Sequence, residues 1–293
     1  MSENSEKVKR KISDNIFILY LISLGLMLFG SLLGYLFVFW LPETDLWLSV
    51  QMYLSDIGIW GLSLLFMYLH KRSRPVLTKL THKERGNNIP FLLLGFLIGF
   101  VLNGSCALAA WLNKDIMLYY DKVDLFPVLL LFVSVFVQSS AEEMLTRGFL
   151  YSRLRMSYRN PLVAIIGNTA FFTILHVFNP GFTVWSAINI FLSGLLFSLF
   201  VNYYDSIWCA MALHTAWNFT QNILFGLPNS GIVLPFSIFK LDAASARDSL
   251  FYNVGFGIEG TAFSCVVLTI GCLLVWFFGK RHREKCACEQ LQK

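Results

Sequence analysis

Two adjacent glutamates, Glu142 and Glu143, together with Arg147, stand in the stretch SSAEEMLTRGFL, directly after the apolar run LFPVLLLFVSVFVQ. An ionisable side chain inside a bilayer costs about 2.5–3.5 kcal/mol on insertion scales, so each one requires a partner or a chemical task. On a helix, Glu143 and Arg147 are spaced i,i+4 with the acid on the N-terminal side, the arrangement that favours an intrahelical ion pair. Glu142 is then turned about 100° away and is free to face something else, with Gln138 one turn earlier on its own face.

Two further stretches carry matching chemistry. In FFTILH, Phe172 and His176 lie one turn apart, with Asn168 further back on the same stripe. In HTAWNFTQN, His214 and Asn218 share a face that Gln221 and Asn222 extend, and a milder polar set, Ser186, Asn189 and Ser193, lies between the two stretches. Polar stripes on membrane helices are expected to turn inward towards one another. A carboxylate, imidazoles and an amide gathered in a wet pocket are what peptide hydrolysis requires: a base to activate water, a group to hold that water, and donors for an oxyanion. Glu142 is the candidate base and His176 the group that holds or polarises the water. Buried Glu, Arg and His also make proton relays, so a proton-coupled transporter is an open alternative.

The elements that must position these groups follow from composition. The chain has 293 residues, 56% hydrophobic and only 14% charged, against about 25% charged in ordinary soluble domains. This predicts an all-α polytopic membrane protein with about eight transmembrane helices. The candidate spans are 16–41, 46–69, 90–112, 125–150, 161–178, 182–202, 206–226 and 255–279, each near the length of about 20 residues that crosses a bilayer. They form a single domain over 16–279, with the polar core within about 125–226. It is preceded by a polar N-terminal segment, 1–15, expected to be disordered and cytoplasmic, and followed by a basic cytoplasmic tail, 280–293. Lys and Arg gather in 7–11, 71–85, 153–159 and 280–293, whereas the alternate loops hold only Lys114, Lys122, Lys240 and Arg247. That asymmetry predicts both termini in the cytoplasm. The net charge of +5 is accounted for by basic loops facing anionic lipid and requires no nucleic-acid partner. The six cysteines suggest no disulfide framework, and Cys286 and Cys288 on the tail are either a reduced pair or an acylation site.

Helix lengths bring two of the polar stripes level. With a turn near Asn160, Glu142 lies about 27 Å and His176 about 24 Å along antiparallel helices from that turn, and His214 lies about 12 Å into its own span. The Asn179-Pro180-Gly181 break just after His176 is tolerable within a membrane where it lines a wet cavity.

At these residues the sequence resembles the CAAX-processing and bacteriocin-processing intramembrane proteases, the CPBP or Abi proteins. Their pattern is a Glu-Glu-x-x-x-Arg helix, a Phe-x-x-x-His helix and a His-x-x-x-Asn helix. It is matched in order by Glu142, Glu143 and Arg147, by Phe172 and His176, and by His214 and Asn218. The resemblance implies an eight-helix intramembrane endopeptidase in which Glu142, His176, His214 and Asn218 are catalytic, His214 and Asn218 as the oxyanion-stabilising pair. Glu143 and Arg147 are then the supporting pair, and Phe172 packs beside the site. It implies substrates that are membrane-associated peptides: prenylated tails, or bacteriocin, pheromone or regulatory precursors. The expected location is a bacterial plasma membrane. A metal-free glutamate mechanism is favoured, with zinc on Glu142, His176 and His214 as the alternative; HExxH is absent, since His82 is followed by Lys83 and Glu84 in a basic loop. A non-catalytic immunity protein or a scaffold that binds peptides or a sensor kinase is the remaining alternative.

Overall fold

The computed structural model of the chain describes residues 14–121 and 123–291, with side chains described as far as Lys285. The predicted segment 1–15 thus lies almost wholly outside the described residues, as do the side chains of Cys286 and Cys288. The protein is an all-α polytopic membrane protein. Its helices are α1 (Ile16–Val38), α2 (Asp45–Leu54), α3 (Ile57–Leu69), α4 (Ile89–Leu112), α5 (Leu125–Glu143), α6 (Ser152–Ser157), α7 (Pro161–Ile174), α8 (Val184–Tyr204), α9 (Ile207–Asn218) and α10 (Ala262–Leu291). Among the described residues, six helical stretches are long and apolar enough to cross a membrane: 16–38, 45–69, 89–112, 125–157, 184–204 and 262–285.

Several of these helices begin where a side chain accepts a backbone amide that the first turn leaves free. Asn15 caps α1, Asn88 caps α4, Asp124 caps α5 and Asn160 caps α7, while Thr183 and Ser186 form a reciprocal capping box at the start of α8. The helix begun by α5 passes the expected end near Leu150. It widens to π-type hydrogen bonding over Met144–Tyr151 and continues as α6 to Ser157, where Asn160-Pro161 sets the turn. The predicted span 161–178 is shorter than expected, since α7 ends at Ile174 and residues 175–178 form a turn. The predicted span 255–279 begins late, because Gly255, Gly257 and Gly260 precede it, Gly257 at φ +83°. The helix starts only at Ala262, where the Thr261 hydroxyl accepts from the Ser264 amide. It then runs on through the predicted tail to Leu291.

α1 buries only one stripe, Leu19, Ser23, Leu26, Gly30, Gly34 and Val38, and presents Phe17, Leu28, Phe29 and Phe37 outward, as a helix at a lipid boundary does. α9 is the opposite case. Every residue from Cys209 to Asn218 is buried, so this helix is the axis around which the others pack. Its approach to α4 is set by Gly95 and Gly99: a Cβ added at either would stand 2.3 or 2.4 Å from the carbonyl oxygen of Cys209 or Leu213. Small residues four apart allow backbones to meet this closely in membrane helices.

The non-helical part is concentrated in the long segment between α9 and α10. It is pinned by a two-stranded antiparallel pairing, β1 (Leu118–Tyr120) with β2 (Phe239–Leu241), in which Tyr119 faces Lys240. The stretch IMLYYDKVDLF therefore supplies the strand that anchors this loop. Two side chains of the π-type turn after α9 reach the loop, Asn222 donating to Leu227 O at 2.8 Å and Gln221 to Pro228 O, and Tyr53 donates to Asn222 Oδ1 at 2.7 Å.

Candidate active site

The three polar stripes meet. A cavity of about 240 Å³ is lined by Glu142, His176, His214 and Asn218, together with Gln138, Asp56, Asn229 and Glu259. Each expected catalytic residue is therefore on one cavity wall, contributed by α5, by the turn after α7, and by α9. The cavity lies at the end of the bundle where α7 stops and α8 starts, beneath the loop that precedes α10, and away from the basic turns.

The adjacent glutamates have different environments. Glu143 is fully buried and its Oε1 accepts from Arg147 Nη1 at 3.0 Å and from His214 Nδ1 at 3.0 Å. The i,i+4 pair expected from the sequence is present, and it extends to a histidine on another helix. Arg147 is also fully buried; Nη2 donates to Gly194 O at 3.1 Å, and the guanidinium lies 4.4 Å from the Phe172 ring centre and 5.1 Å from that of Phe197. Desolvating a guanidinium is tolerable where carboxylate, carbonyl and aromatic faces surround it in this way. Phe172 packs beside the site as expected, in contact with both His176 and His214.

Glu142 is half-buried and points along the cavity wall. Its Oε1 accepts from Gln138 Nε2 at 2.6 Å, whereas Oε2 has no hydrogen-bond partner among the described residues. Gln138 links the acid to the amide, because its Oε1 accepts from Asn218 Nδ2 at 3.1 Å. Asn218 Nδ2 also reaches Ser139 Oγ at 3.3 Å, and Asn218 Oδ1 accepts from Asn229 Nδ2 at 3.0 Å. The orientation of Asn218 is thus fixed from both sides, by α5 and by the loop.

The histidines are held in defined tautomers. His176 Nδ1 donates to Phe172 O at 2.8 Å; since a carbonyl only accepts, the neutral ring keeps its lone pair on Nε2. His214 Nδ1 donates to Glu143, and the ring stacks on Phe197. No three His, Cys, Asp or Glu side chains among the described residues gather as a metal-ligating set, Glu142, His176 and His214 included. No step below is routed through a metal.

Two further acids, Asp56 and Glu259, also line the cavity. Asp56 meets Ser31 Oγ at 3.4 Å. Glu259 accepts from Trp217 Nε1 at 2.9 Å and from the Ser230 amide and hydroxyl, and burial pushes its carboxyl above the ordinary range. Neither belongs to a motif with helical spacing. The one local signal was the turn chemistry of Pro228-Asn229-Ser230-Gly231, with Gly231 at φ +82°, which marks a tight loop but not its destination.

The fold and this cavity define a multi-pass membrane protein with a buried acid, imidazole and amide site. Residues 124–220, a third of the chain, match the family model described as type II CAAX prenyl endopeptidase Rce1-like. The family resemblance read from the three motifs is thereby shown over that segment, and it is to a family of peptidases. The match ends two residues past Asn218 and so covers every residue of the three motifs. No curated protein matches the chain.

Proposed function

We infer that the protein is an intramembrane endopeptidase that cleaves membrane-associated peptides with water activated by Glu142. The observation that supports this most directly is the unpartnered Oε2 of Glu142, in one cavity with His176, His214 and Asn218. In this reading a water lies between Glu142 Oε2 and the free Nε2 of His176. Glu142 takes its proton as the oxygen attacks the peptide carbonyl, then returns that proton to the leaving amine. His214, its Nδ1 held by Glu143, stands beside Asn218 on the oxyanion side of the cavity. Asn218 contributes a donor when its longer contact, to Ser139, is released to the intermediate. Glu143 and Arg147 do no proton transfer; they hold α5 and α9 in register.

The test is cleavage of membrane peptides by purified protein, with a prenylated C-terminal peptide and a bacteriocin-type precursor as separate substrates. Glu142→Ala, His176→Ala and Asn218→Ala are each expected to lose at least about 10²-fold in rate while remaining folded, and chelator is expected to leave wild-type cleavage intact. Wild-type rates in all three variants would overturn the assignment of these residues, retention of either peptide by wild type without cleavage would overturn the enzymatic reading in favour of a peptide-binding role, and abolition by chelator would overturn the metal-free mechanism.

A further inference from the structure

A second cavity, of about 520 Å³, lies at the basic end of the bundle and shares one residue of the site's supporting structure, Arg147, as part of its lining. Its mouth carries Lys79, Arg155 and Arg283 with the hydroxyl-bearing Thr78 and Ser152, and its apolar wall includes Pro75 and Met156. Two carboxylates are also present. Glu84 is neutralised by Lys79 at 3.0 Å, and Asp205 sits at the exposed left-handed cap of α8, φ 51°. Neither Arg155 nor Arg283 is paired with a carboxylate among the described residues; Arg283 instead donates to the carbonyl of Asn202 and lies over the ring of Tyr203. Arg147, fully buried, has a further unmet donor, because its Nε has no hydrogen-bond partner although Nη1 and Nη2 do.

The geometry points to this cavity as a binding site for a phosphate ester, the anionic group of a membrane lipid or a soluble phosphate. Two guanidinium forks with no carboxylate partner among the described residues, Arg155 beside Tyr151 and Arg283 on Asn202, suit an anion with several oxygens better than a single carboxylate. Hydroxyls beside them supply further donors, and Pro75 and Met156 provide an apolar border of the kind the glycerol and upper acyl region of a lipid would meet. The position supports the same chemistry, since the basic turns of a membrane protein lie where anionic headgroups lie. The site is independent of the peptidase reading. It uses none of the residues that line the cavity around Glu142; Arg147, which lines the second cavity, is tied to Glu143.

The test compares wild type with the double variant Arg155→Gln/Arg283→Gln, each in nanodiscs of phosphatidylcholine alone or with phosphatidylglycerol, and in parallel with inorganic phosphate. Bound lipid is counted by native mass spectrometry and phosphate by the shift in thermal unfolding. Wild type is expected to retain phosphatidylglycerol over phosphatidylcholine, with affinity at least about tenfold weaker in the double variant and restored by Arg155→Lys/Arg283→Lys. Displacement of the lipid by inorganic phosphate would identify the phosphate group itself as the ligand, and retention against it would assign binding to the intact lipid. Equal binding of both anions by wild type and double variant overturns the site. Should the double variant misfold, Lys79→Gln and Arg155→Gln singly give the same comparison, and unchanged affinity in both likewise overturns it.

Discussion

The sealed cluster of Glu143, Arg147 and His214 and the chain of Glu142, Gln138, Asn218 and Asn229 along the cavity wall are built from neighbouring residues, yet they obey different physics. In the first, charges are removed from water and held by one another and by aromatic faces. In the second, neutral amides orient a half-buried carboxylate on the wall of the cavity. The lesson is that adjacency in sequence says little about role: one peptide unit along α5 separates a group that stabilises the bundle from a group available to a reactant.

The largest effect is expected where the sealed cluster is broken. Arg147→Ala leaves Glu143 buried beside a single histidine and should destabilise the fold by about 3–5 kcal/mol, read as a fall in the thermal unfolding midpoint in detergent together with loss of cleavage. Glu142→Gln should do the reverse, unfolding within about 1 kcal/mol of wild type while cleavage falls by about 10²–10⁴-fold; a large stability loss here would erase the distinction between the two regions. Gln138→Ala removes the link between acid and amide. It is expected to slow cleavage about 10–10²-fold, since small misplacements of reacting groups have effects of that size, with little change in unfolding. Asn229→Ala, at the far end of the same chain, deletes one neutral hydrogen bond and should lower the rate by about 1 kcal/mol, or roughly fivefold. A loss at Asn229 larger than at Gln138 would mean that the loop, rather than α5, sets the orientation of Asn218.

Local spacing made a good part of this legible in the sequence. The Glu143–Arg147 pair, the turning away of Glu142 and the shared face of Gln138 and Glu142 follow from 3.6 residues per turn, and all are present. The motif residues of three separate stretches do line one cavity. What spacing could not convey is the contribution of the loop before α10. Glu259 and Asn229 reach the site through a connection fixed by the strand pairing of Tyr119 with Lys240, a long-range contact with no periodic signature. The π-type turns at Met144–Tyr151 and Phe219–Leu224 were equally invisible. A widened turn depends on how side chains pack around it, and such turns recur at functional sites.

The early stop of α7 has a consequence for His176. The imidazole Nδ1 takes the carbonyl of Phe172, while the His176 amide turns instead to Thr173 O at 3.1 Å. Frayed backbone thereby does the work that a second acid does in many hydrolases, locking the ring against rotation without placing another negative charge near Glu142. A substitution that let α7 wind one turn further would hand that oxygen back to an amide and leave the imidazole free to swivel, disabling the site without touching any of its reacting groups.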